Sequence, residues 1–274
     1  MEHINSNIKH FNSGSLPVSF QQFDVTFLER TVSQRMQSLH VSNWDSYLKL
    51  LFESTEEKEA LENMLSNSHS LFFRNALTFS VLEYISLPTM LLDLRSNKVK
   101  ELRIWTTACA AGQEAYSIAI LLEELKKNSN IDFSYRIFAT DLSEAQIELA
   151  KEGIYSASAL SNTSLKRIET WFDSNRESYK IKKSIKENIV FSTFDLLNEQ
   201  LNFPPESVFG EFNLIFCANI LFYYAPQQQH FMLQKIRKVL VSNGCFVTGE
   251  TERGLASKNG FVEKYQQSGI YRMK

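Results

Sequence analysis

Two hydrophobic periods divide the chain. Up to about residue 75 the apolar positions recur at helical spacing: Val25, Leu28, Val32 and Met36 form one stripe, and Trp44, Tyr47, Leu48 and Leu51 form another. Ser54 followed by Glu57 has the spacing of a capping box and predicts a helix running through Leu65. No segment here alternates as a strand would. The first 75 residues therefore predict a small all-helical domain, with the remaining residues, 76 to 274, as a second domain.

From about residue 100 the pattern changes to short apolar runs, 102–107, 135–140, 188–194, 212–218 and 244–249, separated by amphipathic stretches. Ala115, Ile118, Ala119 and Leu122 mark one helix face, while Ser143 and Gln146 open a helix that Gly153 ends. Strands alternating with helices predict an α/β fold with a mainly parallel sheet covered on both faces. Phe261–Tyr265 and Gly269–Met273 read as a closing hairpin, which would finish the sheet with an antiparallel strand. The segment 154–187 breaks the alternation and predicts an inserted subdomain. Between Ser164 and Lys186 it holds seven basic residues against three acidic ones, either a solvated surface or a dock for an acidic partner.

Composition narrows the function classes. The 274 residues are 43% hydrophobic and 22% charged, with a net charge of -2, the balance of a folded soluble chain without the global basic field that nucleic-acid binding needs. The longest apolar stretch, 212–225, is broken by Asn213 and Asn219 and is too short to span a bilayer, and the N-terminus carries no apolar leader, so a cytoplasmic location is expected. Cys109, Cys217 and Cys245 sit far apart in apolar runs, as buried reduced thiols do, and the five histidines lack metal-ligand spacing. No metal is expected.

The chemistry-bearing turn follows the first strand. Thr107-Ala108-Cys109-Ala110-Ala111-Gly112-Gln113-Glu114 is a small-residue loop opening a helix, where an α/β sheet brings backbone close to a ligand. Its one glycine, Gly112, is short of the three that a pyrophosphate turn uses, which disfavours a nicotinamide dehydrogenase. Asp141 ends the next strand, where it suits either a ribose diol or the N-cap of the following helix.

Several runs together resemble the CheR-type chemotaxis receptor methyltransferases. They are Ser70–Arg74, Arg103–Ser117, Phe138–Asp141, Gly153–Tyr155, Phe191–Leu197 and Ile215–Tyr224, in that order. The resemblance implies a Rossmann-like class I S-adenosylmethionine-dependent methyltransferase domain behind a helical N-terminal domain. It also implies transfer of methyl groups to glutamate carboxylates of a chemoreceptor-like protein, leaving S-adenosylhomocysteine as product. It assigns cofactor contacts to Ser68, Ser70, Arg74, Gly112, Glu114, Asp141, Asp195, Leu196, Ala218 and Asn219, and catalytic roles to Arg74 and Tyr223; strand-end packing is the plain alternative for Tyr223. The expected partner is an acidic helical region of a receptor, with no nucleic acid and no membrane insertion. This chain has serines at 68 and 70 where the family has Asn and Thr, Gln113 where it has an acid, Asp195 where it has Asn, and Ala218 where it has Arg. Gln113 and Ala218 motivate the alternative reading, a CheR-like binding module that holds the cofactor with little transfer.

Overall fold

The computed structural model describes residues 13–65, 70–96, 101–129 and 131–274. These divide into two compact units: the described part of Met1–Asn67 together with Leu221–Gln229, and the described part of Ser68–Ile220 together with His230–Lys274. Position 75, where the hydrophobic pattern changes, lies inside the second unit.

The first unit contains α1 (Val25–Ser38), α2 (Trp44–Glu53) and α3 (Thr55–Leu65). Asp24 caps α1 by accepting from the Thr26 and Phe27 N–H groups, and Leu28, Val32 and Met36 are buried as the stripe predicts. Val25 is not: it stays 52% exposed in the first turn. The predicted capping box is only half formed. Ser54 Oγ accepts from the Glu57 N–H at 3.1 Å, but the Glu57 carboxylate turns inward to Arg35 Nη2 at 2.7 Å and the Tyr47 hydroxyl at 2.9 Å. A buried charge needs such partners more than a helix end needs a second cap. Arg35 is thereby committed to the helical core, which leaves Arg30 as the exposed basic residue of α1. The segment Leu221–Gln229 belongs to the same unit: Asp24 N–H donates to the Tyr223 carbonyl at 2.8 Å and the Phe23 ring stacks on Tyr224 at 5.1 Å.

The second unit opens with α4 (Ala76–Val81), a π turn at Leu82–Ser86 and α5 (Leu87–Ser96). The chain continues through β1 (Glu101–Thr106), α6 (Gln113–Asn128), β2 (Ser134–Asp141) and α7 (Glu144–Glu152). The insert follows, with β3 (Ile154–Tyr155), α8 (Leu165–Trp171), β4 (Phe172–Ser174), β5 (Tyr179–Ile181) and the short α9 (Lys183–Lys186). Last come β6 (Ile189–Thr193), β7 (Phe212–Phe216), α10 (Pro226–Val239), β8 (Leu240–Val247), α11 (Arg253–Lys258), β9 (Phe261–Glu263) and β10 (Ile270–Met273).

Seven strands form one sheet in the order β6-β2-β1-β7-β8-β10-β9, parallel from β6 through β8 and antiparallel at β10 and β9. The predicted α/β sheet with an antiparallel close is what forms. The central strands are buried on both faces, which is why they read as continuous apolar runs. The order also fixes where a ligand belongs. The chain builds outward from β1 to β2 and β6, then returns beside β1 as β7, so the crevice opens past the C-terminal ends of β1 and β7. The insert makes its own three-stranded sheet, β3-β5-β4. Of its basic residues, Arg167 bridges Glu83 at 2.8 Å and Glu124 at 2.7 Å, and the Lys186 ammonium donates to the Lys151 and Glu152 carbonyls at the end of α7. Lys166, Arg176, Lys180 and Lys183 stay exposed.

Candidate functional site

The turn after β1 is held by its neighbours. Thr107 N–H donates to the Phe216 carbonyl at 2.9 Å, tying the ends of β1 and β7 together, and Cys109 N–H donates to the Thr140 carbonyl at 2.8 Å. Gly112 then enters α6 at φ +90°, a conformation only glycine adopts freely. A Cβ there would lie 3.0 Å from both Ala150 Cβ and Tyr116 Cε2. Gly112, the N-cap of α6, supplies no side-chain cap.

Asp141 does not cap the following helix. Ser143 is the cap of α7, and the Asp141 carboxylate instead accepts from the Ala110 N–H at 2.8 Å and the Ser143 N–H at 3.0 Å. Burial lifts its pKa above the ordinary carboxyl value, while the N–H donors of Ser143, Ala110 and Leu142 pull it back. These donors leave further lone pairs on the carboxylate for hydroxyl donors.

Glu114, the second residue of α6, is half-buried. Burial pushes its pKa up to about 8, opposed by the positive charge of Arg74 and assisted by the negative charge of Glu252. Beside it, Gln113 is 8% exposed and its Oε1 has no hydrogen-bond partner among the described residues. A buried amide oxygen in that state costs about 1–3 kcal/mol. An amino or hydroxyl donor from a ligand would remove that cost.

Arg74 is exposed and lies between two residues in the left-handed region, Phe73 at φ +50° and Asn75 at φ +69°. The Phe73 N–H donates to Ser117 Oγ at 3.0 Å, and that hydroxyl donates to the Gln113 carbonyl at 2.7 Å, which ties the Arg74 segment to the start of α6. Ser70 is half-buried. Ser68 lies outside the described residues.

Past β7, Ala218 and Asn219 are half-buried, and Asn219 takes φ +63°. Sequence reasoning missed what holds them. Glu252 is fully buried, and its Oε2 accepts from the Asn219 N–H, the Gly249 N–H and the Thr248 hydroxyl, each at 2.8 Å. Gly249 is required by close approach, since a Cβ would come 2.6 Å from Asn219 Nδ2. The run Thr248–Glu252 holds two of the donors, and the third, the Asn219 N–H, comes from a loop more than thirty positions earlier, which the sequence does not mark.

Past β6, Leu196 is buried and Asp195 is exposed, with its Oδ1 accepting from the Leu197 N–H at 2.8 Å. The Phe194 N–H donates to the Asp141 carbonyl at 3.0 Å, so this turn adjoins the Asp141 corner. The described residues of the larger unit thus bring Arg74, Gly112, Glu114, Asp141, Asp195, Leu196, Ala218 and Asn219 onto linked turns at the carboxyl edge of one sheet. Tyr223 belongs to the helical unit, where its ring packs 4.7 Å from Phe27 and 4.1 Å from Phe222.

All three cysteines are free and buried, and burial raises each thiol pKa. Among the described residues no group of three or more His, Cys, Asp or Glu is placed to hold a metal, and no helix is long and apolar enough to cross a membrane.

The chain is 26% identical over 267 residues to the chemotaxis protein methyltransferase of Borreliella burgdorferi, covering 93% of each chain. It is 28% identical over 213 residues to the chemotaxis protein methyltransferase Cher2 of Pseudomonas putida, covering 76% of this chain and 73% of that one. Among solved structures, the PH0226 protein of Pyrococcus horikoshii is similar at a TM-score of 0.36 and 16% identity, over 75% of this chain and 63% of that one. The family model described as CheR methyltransferase, SAM binding domain, matches residues 68–269. With the larger unit folded as a Rossmann-like methyltransferase sheet and matched along nearly its whole length, the chain belongs to the CheR methyltransferase family.

Proposed function

We propose that this protein transfers a methyl group from S-adenosylmethionine to glutamate carboxylates on an acidic helical region of a chemoreceptor-like protein, forming methyl esters. The observation that carries the reading is the cradle of buried acceptors at the end of β1 and β2: the Asp141 carboxylate with lone pairs to spare, and the unpartnered Gln113 Oε1. Those residues fit the cofactor. Asp141 would accept from the ribose hydroxyls, and Gln113 Oε1 and Glu114 would receive the amino group of the methionine part. Asp195 and Leu196 would meet the adenine, with Ala218 and Asn219 lining the crevice between. The relatives' names support the chemotaxis setting.

When bound, S-adenosylmethionine supplies an electrophilic methyl on a sulfonium centre. A glutamate carboxylate is already a nucleophile at neutral pH, so no general base is required of the chain. Its work is alignment and exclusion of water. Arg74 is the group we assign to the substrate carboxylate, since a guanidinium holds both oxygens in its fork and stays charged at every working pH. The resemblance assigns Tyr223 to the transfer step, with its hydroxyl as a donor.

The test has two steps. Calorimetric titration with S-adenosylhomocysteine should give micromolar binding, weakened about a hundredfold in Asp141→Ala because two ribose hydroxyls lose a charged acceptor. The protein is then incubated with S-adenosylmethionine carrying a tritiated methyl group and the cytoplasmic fragment of a chemoreceptor. Base treatment of that fragment should release labelled methanol. Binding without base-labile label would overturn transfer to carboxylates and leave a cofactor-holding module.

A further inference from the structure

Helix α10 buries a lysine that the assignments above leave unused. Lys235 is only 3% exposed, and none of the ion pairs among the described residues includes it. Its ammonium donates to the Asn198 carbonyl and lies 5.0 Å from the centre of the Phe231 ring and 5.6 Å from that of Phe194. Aromatic faces stabilise a cation, but one carbonyl and two rings are thin compensation for taking an ammonium out of water. A methionine would fill the same space without that cost, so the charge points to a use.

The use is visible in what the ammonium holds. Asn198 closes the turn that begins at Phe194. Within it, Asp195 Oδ1 accepts from the Leu197 N–H and the Asp195 carbonyl accepts from the Asn198 N–H. The turn is joined to the Asp141 corner by the Phe194 N–H. Lys235 fastens the far end of the same turn to α10. We propose that Lys235 is a positioning residue of the cofactor site, holding the Phe194–Asn198 turn so that Asp195 and Leu196 are set for the adenine end of S-adenosylmethionine. The proposal rests on the methyltransferase reading of the site and deepens it.

The charge makes the proposal testable by pH. Burial lowers the Lys235 pKa to about 8, with Asp195 opposing that fall and Lys238 adding to it. Above that value the neutral amine is a weaker donor and the hold on Asn198 slackens. Fold stability moves the other way. Between about 8 and the ordinary 10.5 the unfolded chain holds a proton that the folded one has released, so stability gains with rising pH. Loosening of the cofactor site is thereby separated from loss of fold.

Titrations with S-adenosylhomocysteine at about pH 7 and about pH 9 compare the intact chain with Lys235→Met and Lys235→Gln. We expect Lys235→Met to bind about fivefold more weakly at the lower pH, the share of one charge-assisted hydrogen bond that reaches the ligand. That ratio should shrink toward one at the higher pH, with thermal stability equal or greater. Lys235→Gln, an uncharged donor, should restore part of the affinity. Taking the ratio removes the titration of Glu114, common to both proteins. A ratio of one at both pH values, or one that does not change with pH, overturns the proposal and leaves Lys235 a packing residue. Failure of the intact chain to bind S-adenosylhomocysteine at either pH would overturn the cofactor site, and the proposal with it.

Discussion

The larger unit carries two buried carboxylates at the carboxyl edge of its sheet, and they do opposite things. Asp141 accepts from backbone donors at Ala110 and Ser143 and keeps lone pairs in reserve. Glu252 gathers three donors onto one oxygen and closes the corner formed by Asn219, Thr248 and Gly249. The first carboxylate is arranged to receive something; the second is arranged to hold the protein together. Burial alone does not separate a binding group from a structural one. The count of donors already supplied by the chain does.

Substitutions should widen that contrast. Glu252→Ala is expected to have the largest effect, about 3–4 kcal/mol of lost stability, because three buried donors lose their acceptor at once. Chemical denaturation measures it; a loss below a third of that figure would mean water takes over the corner. Asp141→Ala should cost less, about 2 kcal/mol of stability, since the Ala110 and Ser143 N–H groups, two donors rather than three, lose their acceptor, while most of the affinity for S-adenosylhomocysteine disappears. If both variants lose stability equally, the division into receiving and holding carboxylates fails. Gly112→Ala comes next, at about 1–2 kcal/mol, from a positive φ and a Cβ pressed against Ala150 and Tyr116. Its readout is the thermal midpoint, and an unchanged value would show that the turn has room to shift.

A pH dependence separates a third carboxylate from both. Glu114 has its pKa pushed from 4.5 to about 8 by burial. Across that interval the folded chain holds a proton that the unfolded chain has released, so stability should decline as pH rises from 4.5 to about 8 and level off above it. Glu114→Gln should remove that decline. An identical pH dependence in the variant would mean that Glu114 is ionised throughout and already belongs with the groups arranged to bind.

Local pattern made much of this legible. Apolar runs predicted the strands, because β1 and β7 are covered on both faces and no polar residue can interrupt them for long. Gly112 and Asp141 could be singled out because a lone glycine after a strand and a carboxylate at the end of the next one occupy positions set by the sheet itself. The series of runs from Ser70 to Tyr224 then carried the family resemblance, which spacing alone could not supply.

The rest was decided by contacts between distant parts of the chain. The Ser54 and Glu57 spacing predicted a capping box, and the half-buried Arg35 with the buried Tyr47 drew the Glu57 carboxylate away. Arg167 read as part of a basic insert, yet it is spent on carboxylates far along the sequence. Glu252 and Lys235 gave no sign in the sequence. A charge in an amphipathic stretch looks like any solvated residue until the fold buries it, and then it must find partners or shift its pKa. Periodicity records which face of an element turns inward, and it therefore determined the sheet and the helices. Which buried polar groups satisfy one another depends on where the turns meet, and only the tertiary structure decided that.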